Sequence, residues 1–236
     1  MMITDARQAS YTTIRSDVAG MVPMGAKRIL DVGCSNGALG RHLKAADPQR
    51  NVCGIEFDPG FAQAATKVLD SVINADVNLL DWKAFVPGQS FDCIIFADVL
   101  EHLVQPQHVL THALSRLAPG GSVVVSLPNV RHVSALWSIF VNGRFPRHSR
   151  GIFDSTHLRW FTYLDAQQML EDAGLQISAE AFALRWRDQG GGLFNRALNK
   201  LPASLHSLRP IREFLAYQMS FRGETGAAAD STPQVA

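Results

Sequence analysis

The run Phe91-Asp92-Cys93-Ile94-Ile95-Phe96-Ala97 constrains the fold more than any other stretch of this chain. It is apolar at all but one position, so it reads as a strand covered on both faces. Such strands sit in the middle of parallel sheets flanked by helices. The neighbouring sequence fits that setting. Strand patterns at Arg28–Val32, Asn51–Glu56, Val72–Ala75 and Ser122–Leu127 alternate with helical patterns over 39–46, 59–69 and 106–117. Asp47-Pro48 and Pro119-Gly120-Gly121 punctuate them. The alternation predicts an α/β fold: a doubly wound, mainly parallel sheet with right-handed crossovers. Ligands on such sheets bind beyond the carboxyl ends of the strands.

Asp31-Val32-Gly33-Cys34-Ser35-Asn36-Gly37-Ala38-Leu39-Gly40 lies at the end of the first strand. Glycines at 33, 37 and 40 permit a tight turn and close approach to a ligand. The carboxylate just before Gly33 repels a phosphate and attracts an ammonium group. The loop reads G-x-x-x-G-x-x-G, not the G-x-G-x-x-G of nicotinamide-binding folds. Glu56, nineteen residues after Gly37, closes the second strand, where a carboxylate can accept both hydroxyls of a ribose. Asp76 follows the third strand and can accept from an adenine amino group, with Val77 and Leu80 beside the ring. Cys34 reads as a small packing residue.

A net charge of +1 gives no global drive toward nucleic acid or membrane. No apolar run reaches the length of a membrane span, and residues 1–17 lack a signal-peptide core. Three cysteines without CxxC spacing fit a reducing cytoplasm and no zinc site. The expected location is therefore cytoplasmic, with peripheral contact at the inner face of a membrane as an option.

The segment Ala97-Asp98-Val99-Leu100-Glu101-His102 follows the fourth strand, at the same ligand-binding edge of the sheet. On a helical turn Asp98, Glu101 and His102 would share one face. Three readings stay open: His102 as general base with a carboxylate orienting it, a divalent-cation site, or a hydrogen-bonded loop. No metal is required by the first or the third.

Pro128 to Trp160 reads as a substrate lid. It carries Arg131, Arg144, Arg147, Arg150 and Arg159 with His132, His148 and His157 against one acid, Asp154. Arg131, His132, Arg144, His157 and Arg159 are candidate contacts to an anionic acceptor. Asp154 and His157 suggest a latch, and Trp137, Phe140, Phe145, Phe153 and Trp160 suggest lid core or pocket cover. Thr162 with Asp165 predicts a capping box, Gly174 a helix stop, and 175–184 a further strand. Gly190-Gly191-Gly192 reads as a hinge, and 193–221 as amphipathic helices broken at Pro202 and Pro210. The expected organisation is a helical cap (1–24), a main domain (25–189), an amphipathic helical extension (190–223) and a disordered tail (224–236). The extension carries Arg196, Lys200, Arg209, Arg212 and Arg222 against Glu213, so 193–222 is a candidate for docking, dimerisation or membrane contact.

ILDVGCSNG, GIEFDP, NADVNLLDW, FDCIIFADVLEHL and LAPGGSVVVSLPN together resemble the ordered motifs of class I S-adenosylmethionine-dependent methyltransferases. The resemblance implies strand order 3-2-1-4-5-7-6 with strand 7 antiparallel. It implies cofactor contacts from Asp31, Gly33, Cys34, Ser35, Asn36 and Gly37, from Glu56 and Phe57, from Asp76 and Val77, and from Ala97 and Asp98. Ser35 stands where glycine is commoner, which is tolerable at negative φ. No segment reads clearly as the antiparallel strand. VLEHL is similar to the ubiquinone-pathway O-methyltransferases, where such a cluster is linked to a metal. SLPNVRH, NGRF and GIFDSTHLRWFT resemble a bacterial subgroup found with glycosyltransferases and cell-envelope pathways. The resemblance implies O-methylation of a sugar or small envelope metabolite. PN-x-x-H and GRFP also resemble a methionine-pathway protein of this fold that supports an acyltransferase, so a non-catalytic partner subunit is the alternative.

Overall fold

A computed structural model describes residues 15–82, 84, 90–187 and 192–225. Seven strands form one sheet: β1 (Arg28–Val32), β2 (Asn51–Glu56), β3 (Ser71–Asn74), β4 (Phe91–Ala97), β5 (Leu117–Pro128), β6 (Leu175–Leu184) and β7 (Ala216–Thr225). Their order is β3-β2-β1-β4-β5-β7-β6. The first five pair in parallel, whereas β7 runs antiparallel to both β5 and β6. The chain order reverses between β1 and β4, so the crevice at their carboxyl ends is the natural ligand position.

Alternation along the strands separates two apolar layers. Leu30, Val32, Ile94, Phe96, Val123 and Val125 pack with Leu110, Ala166 and Leu170. These last three lie on the helices Pro106–Ala113 (α4) and Tyr163–Asp172 (α6). Ile29, Val52, Cys93, Ile95 and Val124 pack on the other side with Val18, Leu39, Leu43 and Ala65. Those side chains come from Ser16–Ala19 (α1), Ala38–Ala46 (α2) and Pro59–Ala65 (α3). The central strand β4 is therefore covered on both faces, as its composition requires. The capping box at Thr162 and Asp165 is present, and Gly174 holds φ +84°.

Three expectations change. Residues 216–225 belong to the sheet, where the sequence predicts helix over 216–221 and tail over 224–225. Met219 and Phe221 enter the main core and Tyr217 packs with Ala135, Ile152 and Phe153, while Gln218, Ser220 and Arg222 alternate with them, which is a strand period. The helical part of the extension is thus confined to Leu193–Leu198 (α7), Ala203–His206 (α8) and Arg209–Phe214 (α9). Leu117, expected at a helix end, already pairs with Phe91, and the next pair is Cys93 with Ser122. The turn at 118–121 therefore bulges out of β5. Residues 1–14 of the expected cap, Gly190 and Gly191 of the expected hinge and 226–236 of the expected tail lie outside the described residues. Among the described residues, no helix is long and apolar enough to cross a membrane.

Segment 129–161, which holds all but the first residue of the lid expected over 128–160, leaves β5 and returns to the same end, where Asn129 bridges Phe161. Between them lie the short helix Val133–Leu136 (α5) and one π-helical turn, Trp137–Val141. Buried Asn129 secures the base of this segment. Its amide donates to the carbonyls of Glu213 and Ala216 at 2.9 Å each.

Candidate active site

A cavity of about 500 Å³ opens at the carboxyl ends of β1, β2 and β4. Asp31, Gly33, Cys34, Ser35, Glu56, Phe57, Asp76, Val77, Ala97 and Asp98 all line it, together with His102. Asn36 and Gly37 shape the loop from behind and do not face the cavity. Asn36 Oδ1 accepts from the Ala38 amide at 3.2 Å.

The glycine loop passes under this space. A Cβ on Gly33 would stand 2.5 Å from Val99 Cγ2, and its φ is +72°. Ser35 adopts φ +49°, so the expectation of a negative φ is wrong. A serine tolerates this left-handed geometry at some cost. Here its amide donates to Glu56 Oε2 at 2.8 Å, which ties the loop to the end of β2. Glu56 Oε1 accepts from the Asp58 amide at 2.9 Å. Burial raises the Glu56 carboxyl above its ordinary range despite these two amides.

Asp31 is 2 % exposed, and its Oδ2 has no hydrogen-bond partner. Burial, with Glu56 nearby, pushes its carboxyl up to about 7. A buried carboxylate without a partner is costly unless a cation completes it. The donor set therefore fits a zwitterionic ligand with an ammonium group at Asp31 and hydroxyls at Glu56. Asp76 Oδ1 accepts from the amide and side chain of Asn78 at 2.9 and 2.8 Å. Phe57 stands at the mouth, 72 % exposed. Cys34 is buried, and burial pushes its thiol well above the ordinary range, which removes thiolate chemistry.

The reaction end is arranged differently from the helical expectation. Leu100–His102 is a 3₁₀ turn, and Asp98 just before it has φ +57°. Asp98, Glu101 and His102 therefore do not share one face. Asp98 faces the cavity and pairs with Arg15 and Gln218. Arg15 also holds Asp17 and donates to Ser126 Oγ at 2.7 Å. Glu101 turns inward, 1 % exposed, and burial raises its carboxyl to about 8. Its backbone carbonyl accepts from the amides of Leu158 and Arg159 at 2.8 and 3.0 Å. His102 lines the cavity with Nδ1 at 3.3 Å from the Thr156 carbonyl. A carbonyl can only accept, so Nδ1 carries the hydrogen and Nε2 is the basic nitrogen of the neutral ring. Glu101, His102 and His157 each offer one ligand atom, all within 4.8 Å of one another.

None of the five substrate candidates lines the cavity. His132 is wholly buried: it caps α5 through Ser134, and its Nε2 meets the Arg185 carbonyl at 2.8 Å. Arg131 pairs with buried Glu213 at 2.7 Å. His157 is buried, with Nδ1 at 3.1 Å from the Ile152 carbonyl and Nε2 at 4.0 Å from Glu101. Arg159 donates to the Val104 carbonyl at 2.6 Å, and Arg144 is exposed. Sequence spacing grouped these residues by neighbourhood along the chain, whereas the fold turns four of them to separate partners and leaves Arg144 on the surface. The residues missed are Arg15, Thr156 and Gln218. They come from three separate segments, and no local motif joins them.

The methyltransferase domain family matches residues 8–180. Over 116 residues the chain is 32 % identical to the ubiquinone biosynthesis O-methyltransferase of Xanthomonas campestris, covering 48 % of this chain and 47 % of that protein. It thus spans about half the length of the curated relatives it matches. The fold is similar to a SAM-dependent methyltransferase from Archaeoglobus fulgidus, with TM-score 0.60, 16 % identity and coverage of 93 % and 94 % of the two chains. It also resembles magnesium protoporphyrin IX methyltransferase from Synechocystis PCC 6803 with bound SAH, with TM-score 0.58, 16 % identity and coverage of 95 % and 85 %.

Proposed function

Because the chain belongs to the methyltransferase domain family, we propose that it moves a methyl group from S-adenosylmethionine to a hydroxyl of a sugar or small cell-envelope metabolite. The observation that carries this reading is the buried, unpartnered carboxylate of Asp31 at the head of the glycine loop. Asp31 holds the ammonium, the Gly33 turn lets the backbone pass close beneath, Glu56 binds the ribose hydroxyls, and Asp76 with Val77 borders the base. When bound, the cofactor supplies a methyl group already activated on a sulfonium.

The chain's own task is then alignment and proton removal. His102 Nε2 accepts the acceptor hydroxyl's proton, with the ring oriented through Nδ1 to the Thr156 carbonyl. Arg15 and Gln218 fix Asp98 at the same end, where it orients the acceptor. The one arginine lining the cavity among the described residues is already matched by Asp17 and Asp98. This supports a neutral, hydroxylated acceptor over an anionic one. Calorimetry with S-adenosylmethionine tests the cofactor half: the wild type binds and Asp31→Asn does not. Incubating a cell extract with labelled cofactor and following the label by mass spectrometry tests the acceptor half. Cofactor binding without any labelled product would instead favour a partner subunit.

A second reading, a quinone-pathway type of O-methyl transfer, is favoured by the Glu101–His102–His157 group. Those residues would hold a divalent cation that lowers a hydroxyl pKa. Turnover abolished by chelator and restored by Mg²⁺ would select this reading.

A further inference from the structure

We propose that the turn and loop over 137–150 dock on an anionic lipid bilayer. The π-helical turn presents Trp137, Phe140 and Val141 to solvent at 59 %, 79 % and 58 % exposure, and Phe145 follows at 51 %. Ile139, between them, points the other way and packs against buried Ala135, Ile152 and Tyr217. The turn is therefore anchored by its inner side and leaves Trp137, Phe140 and Val141 exposed on its outer side, while half-exposed Phe145 is held edge-on against Phe153 and Trp160. Clusters of this kind mark contact surfaces.

The charges around the cluster identify the occupant. Arg144, Arg147 and Arg150 are exposed beside it, and no Asp or Glu occurs from Pro128 to Phe153. Aromatic side chains ringed by arginines, with no acid among them, match the headgroup boundary of an anionic leaflet. The aromatic groups enter the acyl boundary while the guanidinium groups stay with the phosphates. A second copy of the chain fits less well. A two-fold contact through this patch would set its three arginines against the same three in the partner.

The surface is rooted beside the cavity. The segment begins and ends at the carboxyl edge of the sheet, and its Thr156 lines the cavity wall against His102. Bilayer contact and the cavity mouth thus belong to one segment, which suits an acceptor carried at a lipid surface. The docking proposal itself stands on exposure and charge and is independent of any methyl transfer.

Co-sedimentation of the full chain with vesicles tests it. Phosphatidylglycerol vesicles should bind the chain and neutral phosphatidylcholine vesicles should not, with binding weakened by added salt. Each arginine changed to alanine at 144, 147 and 150 should weaken partitioning about fivefold, and all three together about 100-fold. Trp137→Ala with Phe140→Ala should also release the chain. Brominated lipid should quench a tryptophan signal in the wild type, and Trp137→Phe should lose that quenched fraction while still binding. Equal binding to neutral vesicles, no binding to anionic ones, or binding indifferent to both sets of substitutions would overturn the proposal. So would light scattering that shows a dimer broken by the aromatic substitutions in a chain that ignores vesicles.

Discussion

Asp31→Asn should make the ligand-free protein more stable at neutral pH while abolishing cofactor binding. Burial, with Glu56 nearby, holds the Asp31 carboxyl at about 7 against its ordinary 3.8. The folded state therefore binds this proton more tightly than the unfolded chain. Its contribution is full below about pH 4 and is lost as pH rises through about 7. The shift of roughly 3 units, at 1.36 kcal/mol per unit, corresponds to about 4 kcal/mol. Asparagine is nearly isosteric and has no proton to lose. Its stability relative to wild type should thus rise by about 4 kcal/mol between pH 4 and pH 8. For a chain of this size that is a relative gain in melting temperature of about 8–16 °C. Any packing difference between the two side chains is common to both pH values and cancels. The cofactor should act in the opposite sense. At pH 6 a carboxyl with pKa about 7 is about 0.9 protonated, and an ammonium seated on it expels that proton. Calorimetry at pH 6 in buffers of different ionisation enthalpy should show about 0.9 proton released per cofactor bound. Wild type and Asp31→Asn with parallel stability profiles from pH 4 to 8, or tight binding with no proton release, would refute the argument.

If His102 is the proposed base, His102→Ala should leave cofactor affinity intact and lower kcat by about 10²-fold or more; steady-state kinetics beside calorimetry separate the two. Gly33→Ala should cost about 1–2 kcal/mol for a left-handed residue with a side chain, before its contact with Val99 at 2.5 Å is counted. Thermal unfolding should show that loss, and Val99→Ala in the same chain should recover part of it. Asn129→Ala strands the carbonyls of Glu213 and Ala216 and should cost about 2–4 kcal/mol by urea denaturation, with 129–161 gaining amide exchange first.

Much of the sheet could be read in advance because its strands are short, continuous and bounded by breakers. β1, β2 and β4 fall where their apolar runs put them, and β6 where its loose alternation does. The cavity wall was legible for a related reason. In a parallel sheet the residues at or just past the carboxyl end of each strand border the ligand crevice by topology, so Asp31, Glu56, Asp76 and Asp98 are legible in the sequence as lining residues. β7 is hidden because Tyr217-Gln218-Met219-Ser220-Phe221 follows directly on helical patterns and resembles their continuation. Its strict period of two was the available signal. The lid candidates failed because density of arginine and histidine says nothing about direction. Arg131 and His132 are adjacent in sequence, yet one reaches Glu213 and the other the Arg185 carbonyl.

The segment Asp98–His102 shows why spacing misled there. The i, i+3, i+4 rule assumes 3.6 residues per turn over its whole length. A left-handed Asp98 followed by a 3₁₀ turn of three residues breaks that assumption twice. The three side chains are thereby divided between two environments. Asp98 and His102 face the cavity, while Glu101 enters the interior, where its carboxyl binds a proton up to about 8. At neutral pH Glu101 is therefore mostly uncharged and contributes little negative field at His102. Its backbone carbonyl instead clamps the amides of Leu158 and Arg159, two and three residues past Thr156. The Thr156 carbonyl in turn faces His102 Nδ1. Glu101 thus acts on the candidate base through the chain it holds, as a positioning residue. Glu101→Gln, which keeps the backbone clamp, should spare turnover far more than any change that frees residues 156–159 from the turn.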